Sequence, residues 1–140
     1  MQFSVASNAK SVAGRIKKRG KILSQSVKRA LQITAQAGIG IIEERTSKGK
    51  GYKGGSFKPY SDVYAAFRNA TGRGAVPDLQ FTGKMLGSMT SKSNRKQAEI
   101  FFTRAAEAKK AAFNDQKRPF FGFSRKERDQ LGQVFLKAMK

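Results

Sequence analysis

One apolar stripe runs through the first third of the chain and decides what the rest must pack against. Val12, Ile16, Leu23, Val27, Leu31, Thr34, Gly38, Ile41 and Arg45 step by three and four residues, with one gap of seven across Gly20. That spacing predicts a long helix over residues 11–45, roughly 50 Å in length at about 1.5 Å per residue. Gly14, Gly20, Gly38 and Gly40 weaken it, so a kink or break near Gly20 or Gly38 is allowed. Residues 1–10 read as a loose arm ahead of the helix.

Charge along this stripe has one sign. Lys10, Arg15, Lys17, Lys18, Arg19, Lys21, Lys28 and Arg29 all precede the first acids, Glu43 and Glu44. A merely solvated helix face normally mixes signs. Over the whole chain 29 basic residues stand against 9 acidic ones, a net charge of +20. Self-repulsion on that scale costs stability unless an acidic partner offsets it. The residues expected to meet that partner are Arg15, Lys17, Lys18, Arg19, Lys21, Lys28 and Arg29 on the helix, with Lys48, Lys50 and Lys53 just after it. Nucleic acid and an acidic protein surface both fit. A membrane surface fits poorly, because the stripe holds no Trp or Phe and is diluted by Ala and Gly. No apolar run approaches the roughly 20 residues that cross a bilayer, and Met1–Lys10 has no signal-like apolar segment, so an intracellular origin is expected.

Residues 46–56 form a Gly/Lys stretch, Lys48-Gly49-Lys50-Gly51-Tyr52-Lys53-Gly54-Gly55-Ser56, expected as a flexible basic loop. It is no nucleotide loop: Gly55 stands where the phosphate-binding Lys is needed. Its amides and lysines remain suited to unspecific phosphate contact. Residues 57–140 read as an α+β core. Ser61 or Asp62 caps a short helix to about Ala70, with Val63, Ala66 and Phe67 as its apolar side. Lys84–Met89 suggests a helical turn entering a strand near Ser88–Lys92. Gln97–Thr103 is a clear strand, with Ala98, Ile100 and Phe102 on one side. Ala105–Phe113 is a short helix, and Asn114–Lys117 a turn. The 140 residues suit one α+β domain: a long N-terminal helix, a small antiparallel sheet, short helices and a C-terminal helix. With 39% hydrophobic residues, part of the apolar surface is expected to be buried against neighbours.

Near the end, Arg118-Pro119-Phe120-Phe121-Gly122-Phe123-Ser124 packs three Phe into four residues and reads as a short extended segment. Ser124-Arg125-Lys126-Glu127 is a capping box, and Leu131, Val134, Phe135 and Ala138 then recur at helical spacing. Cys and His are absent, which removes disulfides, thiolate metal sites and the commonest general base. Glu43-Glu44, Asp78 and Glu127-x-Asp129 lack a partner base or nucleophile signature. No catalytic residue, metal or cofactor is expected.

The order of these pieces resembles the tail-completion and neck proteins of tailed bacteriophages, the virion-morphogenesis family of head–tail joining components. The resemblance spans about residue 40 to the C-terminus. It rests on Phe57-Lys58-Pro59-Tyr60-Ser61, on the spacing of Leu79, Thr82, Gly83 and Leu86, and on Arg118-Pro119-Phe120 followed by Gly122 and Ser124. It departs at Phe113-Asn114-Asp115-Gln116, where family members often carry a His-Gln-x-Gly-like element. The resemblance implies a non-enzymatic structural subunit of the virion neck, made in the host bacterial cytoplasm. Such a subunit would form a homo-oligomeric ring contacting connector or head-completion and tail-terminator proteins, around a channel that carries duplex DNA. Arg118, Pro119, Phe120, Phe121, Phe123, Ser124 and Glu127 would then be structural or interface residues, with the Phe rings split between the subunit core and a neighbour. A free, sequence-independent nucleic-acid-binding protein is the competing expectation, carried by charge alone.

Overall fold

The computed structural model describes residues 10–140, with side chains from Arg19 onward. The fold is α+β, in the order α1 (Lys10–Ser47), α2 (Asp62–Ala70), α3 (Lys84–Gly87), β1 (Met89–Ser93), β2 (Ala98–Phe102), α4 (Ala105–Lys117) and α5 (Arg125–Ala138). Of the arm expected over residues 1–10, Lys10 opens α1 and the rest lies outside the described residues.

Helix α1 is the spine, and it continues through both Gly20 and Gly38 without a break. Gly38 is there for packing. A Cβ on it would stand 2.8 Å from Cζ of Phe123 and 3.2 Å from Cδ1 of Ile100. The missing side chain therefore lets β2 and the Phe run close on the helix, which offsets the propensity cost of about 1 kcal/mol.

Two apolar clusters hang on this spine. Val27 and Ala30 pack against Phe135, joined by Leu31, Ala138 and Met139. Farther along, Ile39 and Ile42 meet Phe57, Met85, Leu86, Met89, Ala111 and Phe120. Since Arg45 meets Glu127 at the start of α5 while Val27 clusters with Phe135 near its end, α1 and α5 run antiparallel. Strands β1 and β2 form an antiparallel hairpin with Met89 opposite Phe102 and Ser93 opposite Ala98. The Asn94 carboxamide oxygen closes its turn by accepting from the amides of Lys96 and Gln97. Strand β1 is stitched to α1 by Gln32 and Gln36, whose amides both donate to Ser91 Oγ, and by Ser93, which donates to the Lys28 carbonyl.

Four segments differ from their sequence expectation. Helix α2 is turned inside out: Val63 is 83% exposed and Phe67 50%, whereas Arg68 is 1% exposed. The Arg68 guanidinium donates to the carbonyls of Gly74 and Arg73 and pairs with Asp78 at 2.9 Å, so it gathers the loop beyond the helix. Only an inward-facing position makes those bonds, and they decide the helix's rotation over the burial of two apolar side chains. Helix α4 continues four residues past Phe113, because Asn114 bonds back to the Lys110 carbonyl from within the last turn. Asp115, also inside that turn, accepts from the amides of Phe120 and Phe121 at 3.0 and 2.9 Å. With those amides spent on a carboxylate, the Phe run forms no strand. It is an irregular segment whose first ring, Phe120, is fully buried.

The fourth is the Gly/Lys stretch, which is tied down at several points. Gly49 and Lys50 amides donate to the Thr46 and Arg45 carbonyls, Phe57 donates to Gly49, and Tyr52 donates to Pro119 at 3.3 Å. Lys50 and Ser56 form an isolated antiparallel bridge. This folds the stretch back against the Arg118–Ser124 segment, in place of a free loop.

Candidate functional site

Arg45 ends the apolar stripe of α1, and its side chain joins three parts of the fold. Nη1 pairs with Glu127 Oε2 at 2.6 Å, and Nη2 donates to the carbonyls of Phe120 and Gly122, the latter at 3.0 Å. The same Glu127 oxygen accepts from the Ser124 amide at 2.9 Å, while Ser124 Oγ accepts from the Glu127 amide at 3.2 Å. The capping box thus starts α5 and also supplies the anion that anchors α1. Both side chains are largely buried, 10% and 16% exposed.

Gly122 sits beside this junction with the Tyr52 ring against it. A Cβ on Gly122 would lie 2.7 to 2.9 Å from three ring atoms. Gly122→Ala is expected to cost about 1 to 3 kcal/mol of stability as overpacking, measured from the urea unfolding midpoint. Combined with Tyr52→Ala, which empties that space, it should add almost nothing further. Full additivity of the two changes would show that the ring is not what excludes the methyl group.

The Phe57–Ser61 and Leu79–Leu86 motifs converge, with Arg118, on one open cleft of about 1010 Å³ between α2, α3 and α4. Tyr60, Ser61, Leu79, Thr82 and Gly83 line it together with Arg118. Tyr60 Oη accepts from the Leu79 amide at 3.1 Å. Leu79 adopts φ +57°, a left-handed conformation costing roughly 1 to 2 kcal/mol for such a residue. It is held there by the Tyr60 contact and by Asp78, which accepts from the Gln80 amide and pairs with Arg68. Burial raises the Tyr60 pKa above that of a free phenol, although the Leu79 amide and the Arg68 cation partly oppose it. Burial works against the charge of Arg68, but Asp78 and Tyr60 outweigh it and hold the guanidinium above its ordinary pKa.

Around the cleft stand Lys58, Lys110, Lys117 and Arg118, with Glu107 as the acid in the wall. Glu107 is 5% exposed: one oxygen accepts from Lys110 at 3.3 Å, and the other is buried without a partner. Arg118 is fixed by donating to the carbonyls of Lys58 and Pro59 at 2.7 and 2.9 Å, over the Tyr60 ring at 4.8 Å.

From the cleft an aromatic row leads outward. Tyr60 meets Tyr64 edge-on at 4.9 Å, Tyr64 stacks on Phe67 at 6.3 Å, and Phe67 stacks on Phe81 at 5.8 Å. Arg73 covers the far side of Phe81, 3.9 Å from the ring centre. Phe67, Phe81 and, one turn before Phe67 on α2, Val63 are all exposed. Val63 and Phe67 thus form an outward apolar face on α2, with Phe81, covered by Arg73, at its edge.

The basic residues named from sequence do not share one face. Arg19, Lys21, Lys28 and Arg29 are exposed on the first half of the described helix, and Lys48, Lys50 and Lys53 beyond its end. Lys28 and Lys48 lie about 30 Å apart along the helix axis at about 1.5 Å per residue. Lys48 is partly neutralised by an exposed pair with Glu44, which lowers the Glu44 pKa. The side chains of Arg15, Lys17 and Lys18 lie outside the described residues. Of the Arg118–Glu127 set, Arg118 borders the cleft, Phe120 is core, Phe121 and Phe123 are half-buried, and Ser124 and Glu127 cap α5.

Sequence reading missed Lys58, Lys110 and Lys117 as cleft cations, and Arg45 and Arg68 as organisers. Arg45 did leave a signal: a charged residue at a core-facing step of an apolar stripe needs a buried partner. Among the described residues no three His, Cys, Asp or Glu side chains come together as a metal site, and no helix is long and apolar enough to cross a membrane. Comparison with family models, curated proteins and solved structures finds no match.

Proposed function

We propose that this chain is a structural, ring-forming subunit of the phage neck or tail-completion complex, joining head to tail around the DNA channel. The observation that carries this reading is the exposed Val63–Phe67 face, with Phe81 at its edge, beside a cleft lined by the motif residues. Apolar residues grouped on an outward helix face, while an arginine takes the inward position, suit a chain whose burial is completed by a neighbour. The strained Leu79 backbone next to that face fits a surface shaped for docking. Net charge +20 suits a ring around DNA or against an acidic neighbouring ring.

The test is assembly. Purified protein should form closed rings by electron microscopy and mass photometry. Val63→Asp with Phe67→Asp should leave chains that keep their helical circular dichroism, because neither position lies in the core, yet sediment as monomers. A monomeric parent protein at micromolar concentration would sink the reading, as would rings that tolerate both aspartates.

Binding to nucleic acid without a virion role is the second reading, favoured by Arg19, Lys21, Lys28 and Arg29 standing exposed on one half of α1. It predicts a duplex-binding monomer.

A further inference from the structure

The Gly/Lys turn and the end of α4 enclose a second, smaller hollow of about 120 Å³. Lys53, Lys58, Lys117 and Arg118 all line it, and no carboxylate does. The floor includes Gly54 and Gly55, both with positive φ, +94° and +76°. Among the described residues their amides donate to no acceptor.

We infer that this hollow is a single-anion site that takes one phosphodiester group of a nucleic-acid backbone. Four cations from two stretches of chain, 53–58 and 117–118, repel one another, and no carboxylate lines the hollow beside them. Three of them are nevertheless held in place. Arg118 is fixed by the Lys58 and Pro59 carbonyls, Lys53 lies 5.9 Å from the Tyr52 ring centre, and Lys117 lies 4.7 Å from that of Phe113. Preorganised cations beside free backbone amides in a glycine turn are the arrangement that cradles an oxyanion. The hollow has room for one such group and is too small for a nucleotide base beside it. A phosphodiester matches better than a peptide carboxylate, because the cations sit on the outer surface of an ordered turn, where a backbone of repeating charge runs past.

The hollow shares Lys58, Lys117 and Arg118 with the cleft, but the assembly reading rests on the Val63–Phe67 face, so failure of the anion site would leave that reading untouched. The test is amide NMR of the full chain titrated with inorganic phosphate and then with a short DNA duplex, beside duplex binding measured at several salt concentrations. Both titrations should move the Gly54 and Gly55 amide resonances. Lys53→Gln with Lys117→Gln should abolish those shifts and lower the slope of log affinity against log salt by about 0.9, one phosphate's worth. Lys21→Gln with Lys28→Gln should leave the Gly54 and Gly55 shifts in place. Unmoved glycine amides, or a salt slope unaltered in the Lys53/Lys117 variant, would overturn the site. So would a polyglutamate peptide that moves these amides at lower concentration than the duplex does, since the source would then be an acidic protein.

Discussion

Arg45→Ala should be among the most damaging single changes in this protein, lowering stability by about 3 to 5 kcal/mol. The loss comes from what is left behind. Without the guanidinium, Glu127 keeps a largely buried charge with only the Ser124 amide beside it, the Gly122 carbonyl loses its donor, and the Phe120 carbonyl is left with the Gly122 amide alone. Arg45→Lys should recover little, because one ammonium cannot serve a carboxylate and two carbonyls in a fork. Glu127→Gln separates the two roles of that side chain. The amide oxygen still accepts from Ser124 and preserves the cap, so it should cost less than Arg45→Ala. Urea unfolding of the three variants measures this, and a loss below about 1 kcal/mol for Arg45→Ala would mean the junction is peripheral.

Phe120→Ala should cost a comparable amount, about 3 to 5 kcal/mol, as the removal of a fully buried ring that the surroundings cannot refill. Phe120 lies in the same cluster as Ile42 of α1, Ala111 of α4 and Phe57 of the segment before α2, so none can shift alone to close the gap. Phe121→Ala should cost markedly less. That ring is half-buried, on Phe102 at 5.2 Å and on Phe120 at 6.1 Å, and part of its surface stays in water in either form. Thermal melts of the pair, compared side by side, would reverse this assignment if Phe121→Ala proved the less stable protein.

The regular elements were legible wherever a local rule decided them. Helical periodicity marked α1, the Ser-x-x-Glu box marked the start of α5, and alternation marked β2. Misreadings arose where a distant partner overruled the local signal. Arg68 looks like a solvent residue until the loop carbonyls it binds are known. Asn114 and Asp115 look like a turn, since such side chains compete with backbone bonds; here one bonds back within the helix and the other reaches forward to Phe120 and Phe121. The Gly/Lys stretch looks unstructured because its anchors, Arg45 and Pro119, lie outside it. The cleft was half legible. Its motif residues stood out by spacing, while Lys58, Lys110 and Lys117 were lost among 29 basic residues, and only the fold separates them from the rest.

The antiparallel seating of α5 on α1 also bears on how the chain is made. Arg45 and Glu127 are 82 positions apart, so the helix synthesised early receives its partner only near the end of translation. At about 5 to 20 residues per second that interval lasts roughly 4 to 16 s. During it the Val27–Ala30 stretch has no Phe135 to cover it, and the carbonyls of Phe120 and Gly122 do not yet exist to hold Arg45. Closing so long a loop is entropically slow compared with forming the hairpin or α4. The nascent chain therefore carries a long, cationic, half-finished helix beside the nucleic acid of the translation machinery. Its high positive charge keeps such chains apart from one another until the last helix arrives.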